Sequence, residues 1–211
     1  LGGYGGKRLK GKYLAEPLEI NLLQLSSSPK DILIVQFDLL YVPKALCDFL
    51  ELEFSSYEVI AIASHTHSAP HVDVDKPLLG EIDSSFLVQI YDSIREGFKQ
   101  RKDVGASVLT TTIGLLDLSI CRRKSAWTMR KHFPFLSKAL CFLPNIQTEI
   151  DRSIKFWFIE SEGKVQSVIW TYSCHPVVTS DSSCISSDYP GVFRRIIRSY
   201  LKEDVPVLFF P

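Results

Sequence analysis

Short apolar runs typical of β-strands alternate along this chain with segments whose apolar residues recur at helical spacing. The strand-like runs lie at 18–25, 32–40, 58–64, 105–120, 154–160, 165–173 and 206–210. Two amphipathic helices are predicted between them, one beginning close to Asp83 and one beginning near Pro190. This order predicts an α/β or α+β fold, a layered domain with a mixed β-sheet flanked by helices, and we expect the domain to be incomplete within residues 1–211.

The apolar positions of the two helices predict which faces enter the core. In the first helix these positions recur every four residues: Phe86, Ile90, Ile94 and Phe98. Asp83 or Ser84 is the expected N-cap of this helix. In the second helix, with Ser187 or Asp188 as the expected cap, one apolar stripe is predicted: Val192, Phe193, Ile196, Ile197, Tyr200 and Leu201.

Segment 126–150 is the least regular part of the sequence. It combines basic residues with a group of apolar side chains: Phe133, Phe135, Leu136, Leu140, Phe142 and Leu143. A loop of this kind could contact an acyl chain, but exposed apolar patches are exceptions in soluble proteins. We therefore favour a loop that closes over the core of its own domain.

The charge, the lengths of the apolar runs and the cysteine content argue against several classes of protein. Lys plus Arg and Asp plus Glu both number 24, so no overall field favours nucleic acid, and none is expected as a partner. No apolar run reaches the roughly 20 residues of a transmembrane helix, and the N-terminus lacks a secretory-signal pattern. Five cysteines without C-x-x-C spacing indicate neither a disulfide framework nor a structural zinc knuckle.

Histidines are concentrated directly after the apolar run 58–64. The segment reads Ser-His-Thr-His-Ser-Ala-Pro-His, and it holds His65, His67 and His71. Residues i and i+2 of an extended chain point the same way, so His65 and His67 would present two imidazoles about 6.6 Å apart at a strand end. Imidazole is a common zinc ligand and titrates near neutrality, so this spacing favours metal binding or catalysis over a structural role.

Two further strand ends carry residues of chemical interest. His175 follows the run 165–173, and Pro176 biases it towards an extended conformation, so its imidazole is expected to leave a strand end. A ligand from a separate strand is what a tetrahedral site needs, although by itself His175 could equally be structural. Arg122, after the run 105–120, could hold a carboxylate or an oxyanion, but a solvated basic loop is the simpler interpretation of its surroundings.

Four of these segments together resemble the neutral/alkaline non-lysosomal ceramidase family. SHTHSAP (64–70) is similar to the family's SHTHSGP signature, and ICRRKSAW (120–127) aligns with its I-N-R-S-P-x-A-Y stretch. WTYSCHPVV (170–178) and SSDYPG (186–191) resemble its W-x-x-x-H-P block and the following S-x-D-x-x-G. The matches occur in chain order, so the resemblance implies that residues 1–211 are the N-terminal portion of a ceramidase-like catalytic domain.

The resemblance also implies roles for individual residues. His65 and His175 would be ligands of Zn²⁺, His67 would bind substrate or stabilise the transition state, and Arg122 would orient substrate or stabilise an oxyanion. The family completes its zinc shell with a glutamate and a tyrosine, and it uses a serine near the metal, all from later sequence. We therefore expect this chain alone to bind zinc weakly and to be inactive.

The implied activity is zinc-dependent hydrolysis of the N-acyl amide bond of ceramide or a related N-acyl lipid, so the expected partner is a lipid-like small molecule. Ala69 and His71 replace glycines of the family signature, and Arg123 and Lys124 replace its Ser-Pro, so another N-acyl substrate is possible. Two alternatives stay open. One is a metal-dependent hydrolase of a different ester or amide, and the other is a truncated, non-catalytic paralogue.

Overall fold

The fold is described here from a computed structural model, which covers residues 1–3, 11–105, 107–118, 121–130, 133–179 and 183–211, with backbone alone at 129–130 and 133–136. Its strands are β1 Tyr13–Glu16, β2 Ile20–Leu25, β3 Ile32–Phe37, β4 Glu58–Ala63, β5 Val108–Leu115, β6 Lys124–Arg130, β7 Phe133–Cys141, β8 Ser153–Ser161, β9 Lys164–Tyr172, β10 Cys184–Ser186 and β11 Val207–Phe210. Its helices are α1 Lys44–Glu53, α2 Ser84–Lys99 and α3 Asp188–Leu201, with a short 3-10 helix at Pro77–Leu79.

The described strands form four sheets with mixed orientations, which confirms the predicted fold class. One sheet has the order β2-β3-β4, with β2 antiparallel and β4 parallel to β3. A second has the order β11-β9-β8-β5, in which only β11 and β9 run parallel. Strands β1 and β10 form a parallel pair, and β6 and β7 form an antiparallel hairpin.

Helix α2 covers the β2-β3-β4 sheet with the face predicted from its sequence. Ile90 and Ile94 are buried, and Phe86 and Phe98 pack at the margin of the same cluster. The cluster includes the sheet residues Leu33, Val35 and Phe37, together with Leu46 and Leu50 of α1. Strand β4, which leads into the first histidine segment, is therefore held by a core that the apolar periodicity predicts.

Helix α3 packs on the β11-β9-β8-β5 sheet with a narrower face than the predicted stripe. Phe193, Ile197 and Leu201 pack against Val168, Trp170 and Phe209 of that sheet. The other three stripe residues are exposed: Val192, Ile196 and Tyr200. The prediction of one six-residue stripe was wrong because these three lie about 100° further round the helix.

Segment 126–150 was wrongly predicted to be irregular and to close over its own core. Most of it belongs to hairpin β6–β7, in which Ser125 pairs with Leu140 and Trp127 with Lys138. Leu140, Phe142 and Leu143 are exposed, so they do not cover the core. The side chains of Phe133, Phe135 and Leu136, which belonged to the same prediction, lie outside the described part of the structure.

A buried ion pair connects the two main sheets. Arg194 of α3 donates to Asp38, directly after β3, with a nitrogen–oxygen distance of 2.7 Å, and both side chains are buried. Glu19 lies 3.2 Å from the Arg194 guanidinium and also accepts two hydrogen bonds from Arg198. Because removing one partner of a buried pair typically costs about 3–5 kcal/mol, this contact fixes how α3 sits against β3.

No helix in the described ranges is long and apolar enough to cross a membrane. All five cysteines are free, in keeping with a sequence that indicates no disulfide framework.

Candidate metal centre

Two loops that follow strand ends bring the predicted histidines together. His65 and His67 follow β4, which ends at Ala63, and His175 follows β9, which ends at Tyr172. Each of these strands belongs to a different sheet. The site therefore lies where the loops of the two main sheets meet, more than a hundred positions apart in sequence.

The three imidazoles are close enough to share one ligand. Their ring centroids lie 5.3 Å apart for His65 and His67, 4.8 Å for His65 and His175, and 5.0 Å for His67 and His175. One nitrogen from each ring falls within 4.8 Å of the others. The Nε2 atoms of His67 and His175 lie 3.1 Å apart.

The backbone conformation at His65 differs from the extended conformation that was predicted from the sequence. His65 has a φ of 67°, in the left-handed region, so the segment after β4 is not the extended chain that was assumed for His65 and His67. The left-handed residue turns the loop while both rings still face one volume. His71 does not join them, because its ring is buried and its Nε2 lies 2.9 Å from the carbonyl oxygen of Lys76.

Backbone carbonyls orient two of the rings. Nδ1 of His65 lies 2.6 Å from the carbonyl oxygen of Leu40. His67 is hydrogen-bonded to the backbone of Gly3, and a Cβ added at Gly3 would come 2.6 Å from His67 Nδ1, so the glycine permits this close approach. An Nδ1 that donates to a carbonyl leaves the Nε2 lone pair free, which is the arrangement commonly found behind metal-bound histidines.

The surroundings of His67 and His175 favour neutral imidazoles. Burial, followed by the charge of Arg122 and the nearby rings of His65 and His67, lowers the pKa of His175 to about 4. Burial also lowers the pKa of His67, and the neighbouring His65 adds to this effect. Neutral rings at pH 7 keep their lone pairs, which is the state that a metal ligand requires.

One short segment at the start of α3 anchors both histidine loops. Thr66 Oγ1 donates to the carbonyl of Ser186 at 2.7 Å, and the amide of Ser186 donates to the carbonyl of Ser68 at 3.0 Å. The carboxylate of Asp188 accepts from the amides of Val178 and Thr179, just beyond His175. The segment Ser186–Asp188 therefore fixes the two loops relative to each other.

The sequence did not reveal this anchoring role. Asp188 was predicted, with Ser187, as a possible helix cap, but α3 begins at Asp188 and its carboxylate accepts from the amides of another loop. Ser187 occupies the cap position without a side-chain capping hydrogen bond. The one available signal was the S-x-D-x-x-G resemblance at 186–191, which placed Asp188 among residues of interest without giving its contacts.

Arg122 lies close enough to the histidines to affect them electrostatically. Its positive charge contributes to lowering the pKa of both His175 and His67. The side chain is half-buried at the base of hairpin β6–β7. Arg122 is thus near the cluster, although its surroundings in the sequence alone favoured a solvated basic loop. Ile120 of the same motif lies outside the described residues.

A cavity of about 660 Å³ opens beside two of the histidines. His65, Cys174 and His175 line it together with several apolar residues, among them Leu40, Val42, Ala61 and Ala63. This volume falls within the usual range for a small-molecule site. The cavity therefore places an apolar wall next to groups that can bind a cation.

The donor set of the cluster fits zinc. The three imidazoles offer borderline nitrogen ligands of the kind zinc prefers, at zinc–nitrogen distances of about 2.0–2.1 Å. Two such bonds at a tetrahedral angle would separate the nitrogens by roughly 3.3 Å, close to the 3.1 Å between His67 and His175. The residues present can hold the ion and leave at least one coordination position to other groups.

Fold and site together define a mixed α/β domain with a three-histidine cluster at the junction of two sheets. No protein-family model matches the chain, and no curated protein sequence matches it. Solved structures do resemble it. A ceramidase complexed with C2 aligns with a TM-score of 0.67 and 15% sequence identity over 99% of this chain and 34% of that chain.

Neutral ceramidase from Pseudomonas aeruginosa aligns with a TM-score of 0.63 and 14% identity, over 99% of this chain and 36% of that chain. The fold of this chain thus resembles that of neutral ceramidases, which confirms at the level of fold the resemblance seen in the sequence motifs. The chain spans about a third of the length of these structures.

Proposed function

We propose that this chain forms part of the active site of a zinc-dependent amidohydrolase that cleaves the N-acyl amide bond of ceramide or a related N-acyl lipid. The observation that carries the proposal is the convergence of His65, His67 and His175, with one ring nitrogen each within 4.8 Å. The fold likeness to two ceramidases supports the reaction class. The activity itself is proposed for the full-length protein.

In this proposal His65 and His175 hold the zinc ion. A zinc ion held there would supply Lewis acidity towards a substrate carbonyl and would lower the pKa of a bound water molecule to about 7. The carbonyl of Leu40 keeps the His65 ring in one orientation, and the low pKa of His175 keeps that ring unprotonated. His175 can therefore bind the cation without first releasing a proton.

His67 and Arg122 are proposed to act on the substrate. With its Nδ1 directed at the Gly3 backbone, His67 presents Nε2 to the cluster, where it can accept a hydrogen bond from a substrate hydroxyl or amide. Arg122 supplies positive charge near the place where a tetrahedral oxyanion would develop, and one such donor is typically worth about 3 kcal/mol. His67 is also within reach of the cation, so its role needs a direct test.

The cavity supports a substrate with an apolar part. The apolar residues Leu40, Val42, Ala61 and Ala63 line the same cavity as the two proposed zinc ligands. An acyl or alkyl chain placed against these residues would bring a neighbouring amide towards the histidines. This arrangement favours an N-acyl lipid over a small polar amide.

The test is fatty-acid release by the full-length protein from an N-acyl amino alcohol and from the matching O-acyl ester. We expect amide cleavage that is lost on chelation and restored by zinc, and that falls at least a hundredfold in Arg122→Ala because the oxyanion loses its charged partner. Arg123→Ala is the matched control, since this neighbouring side chain is exposed and stacks on Phe142.

Cleavage of the ester alone would indicate a different metal-dependent hydrolase. Zinc binding without cleavage of either substrate would indicate a non-catalytic protein. Either result would refute the proposed activity while leaving the metal site intact.

A further inference from the structure

The carbonyl of Leu40, which orients the His65 ring, lies between two anchored residues. On one side the amide of His65 donates to the carbonyl of Leu39 at 3.0 Å, which continues the parallel pairing of β3 with β4. On the other side the hydroxyl of Tyr41 donates to Asp73 Oδ2 at 2.7 Å. The position of the Leu40 carbonyl, 2.6 Å from His65 Nδ1, is therefore set by both of its neighbours in the chain.

Asp73 is a firmly held acceptor for the Tyr41 hydroxyl. Its side chain is buried, and its other oxygen, Oδ1, accepts from the amide of Asp75 at 2.9 Å. The amide of Lys76 donates to the Asp73 carbonyl at 3.3 Å, and the carbonyl oxygen of Lys76 lies 2.9 Å from His71 Nε2. Because these contacts close the segment 71–76 on itself, Asp73 is a fixed point for the chain around Tyr41.

The ring of Tyr41 is held as well as its hydroxyl. The ammonium of Lys76 lies 4.0 Å from the ring centroid and 3.7 Å from Asp73 Oδ2. Burial, and then the hydrogen bond to Asp73, raises the pKa of Tyr41, so the hydroxyl keeps the proton that it donates. Hydrogen bonds to a carboxylate are stronger than neutral ones, so this contact is a strong link between the segments 38–43 and 71–76.

We propose that Tyr41 is a positioning residue for the metal centre. Through Asp73 it fixes the Leu40 carbonyl, and because a carbonyl oxygen can only accept, the proton of a neutral His65 ring is held on Nδ1. The lone pair of His65 Nε2 is then available to the cation. The inference rests on the proposed role of His65 as a zinc ligand, but the protonated nitrogen can be observed without any metal.

The variant that tests this role is Tyr41→Phe, which removes the hydroxyl and keeps the ring that lines the cavity beside His65. The Leu40 carbonyl then keeps only the anchor at Leu39, so the His65 ring should populate both neutral forms. Tyr91→Phe is the matched control, because the hydroxyl of Tyr91 in α2 donates to the carbonyl of Ala45 in α1 at 3.5 Å, away from the histidines.

The first measurement is the nitrogen chemical shifts of the His65 ring, by NMR on the metal-free full chain at about pH 8.5, two units above the ordinary histidine pKa. His65→Ala assigns the signals. We expect the proton on Nδ1 in the unchanged protein and in Tyr91→Phe, and a measurable share of the Nε2-protonated form in Tyr41→Phe. A proton on Nε2 in the unchanged protein, or the same His65 shifts in Tyr41→Phe, would overturn the proposal.

The second measurement is calorimetric zinc titration. Tyr41→Phe should weaken zinc binding about fivefold, less than the tenfold or more that typically follows loss of a group bonded directly to a metal-bound histidine. Asp73→Asn, which keeps the size of the side chain but not its charge, should also weaken it. The double variant should bind more tightly than the product of the two single effects predicts, because both substitutions act on one hydrogen bond. Effects that simply multiplied would overturn the proposal.

One further variant separates this inference from the proposed function. If His65→Ala binds zinc as tightly as the unchanged protein, the ligand role of His65 fails and the inference fails with it. If His65→Ala loses zinc while Tyr41→Phe changes neither the zinc affinity nor the protonated nitrogen, the metal site stands and only the positioning role of Tyr41 is refuted.

Discussion

Asp188 is the residue whose contacts best explain how the histidines stay together. It has a φ of 59°, in the left-handed region that Asp and Asn tolerate better than most residues. Its carboxylate accepts from three backbone amides: Val178, Thr179 and Tyr189. Hydrogen bonds from amides to a buried carboxylate are charge-assisted and stronger than neutral ones, so this side chain fixes the loop that follows His175.

We predict that Asp188→Ala weakens zinc binding about tenfold and lowers the free energy of unfolding by about 2 kcal/mol, because three amides lose their acceptor and alanine strains the left-handed backbone. Asp188→Asn, which tolerates that backbone and keeps one acceptor oxygen, should show a smaller loss of both. Calorimetric zinc titration and urea denaturation measure the two effects. Unaltered zinc affinity in the alanine variant would show that Asp188 does not position the site.

The sequence identified the imidazoles of the site but not the residues whose hydrogen bonds hold their loops in position. His65, His67 and His175 stand out because histidine is rare in this chain and occurs at the ends of predicted strands. Asp188 and Ser186 do not stand out, because Asp and Ser before a helix usually act as caps. Their contacts connect segments that are distant in sequence, and local pattern carries no information about such contacts.

Among the elements, α2 follows most directly from local sequence. Asp83 is its N-cap, and its carboxylate accepts from the amide of Phe86 at 3.0 Å and from the Ser85 hydroxyl at 2.7 Å. The Ser85 hydrogen bond, followed by that from Phe86, lowers the pKa of Asp83 below its ordinary value of 3.8. The ionised carboxylate therefore stabilises the folded state, and this contribution is present above that ordinary value and is lost as the pH falls through the lower folded value.

We predict that Asp83→Ala lowers the free energy of unfolding by about 1 kcal/mol at pH 7 because the first helical turn loses its cap. The difference from the unchanged protein should shrink below about pH 4, where the Asp83 carboxylate becomes protonated. Urea denaturation at several pH values measures this, with Asp83→Asn as a variant that keeps a capping oxygen. A difference between Asp83→Ala and the unchanged protein that did not vary with pH would contradict the assignment.

Other elements were predictable only where one pattern dominated. Strands β8 and β9 and the turn between them, with positive φ at Glu162 and Gly163, follow from two apolar runs around a turn pair. Hairpin β6–β7 was missed because its apolar residues are interrupted by basic ones and by Pro134, so neither a period of 2 nor one of 3.6 emerges. The predicted apolar face of α3 was too wide because the sequence does not show that Arg194, and not Val192, Ile196 or Tyr200, takes a buried position.

At the scale of the whole molecule, the site depends on how two sheets meet. Strands β4 and β9 belong to separate cores, and the buried pair of Arg194 with Asp38 joins them. The sequence predicted the class of fold, with helices against a mixed sheet. It could not predict that the strands form four separate sheets. It also could not predict the parallel pairing of β1 with β10, because this pairing joins segments more than 150 residues apart.

The central claim is that imidazoles from these two distant loops bind one zinc ion. X-ray absorption at the zinc edge, on the full chain with one equivalent of zinc, tests it most directly. We predict at least two imidazole nitrogens at about 2.0–2.1 Å, with one fewer in His65→Ala and in His175→Ala. The His67→Ala spectrum then shows whether that ring is a third ligand or a substrate-facing group. Spectra unchanged in both His65→Ala and His175→Ala, or a shell of oxygen atoms alone, would contradict the account.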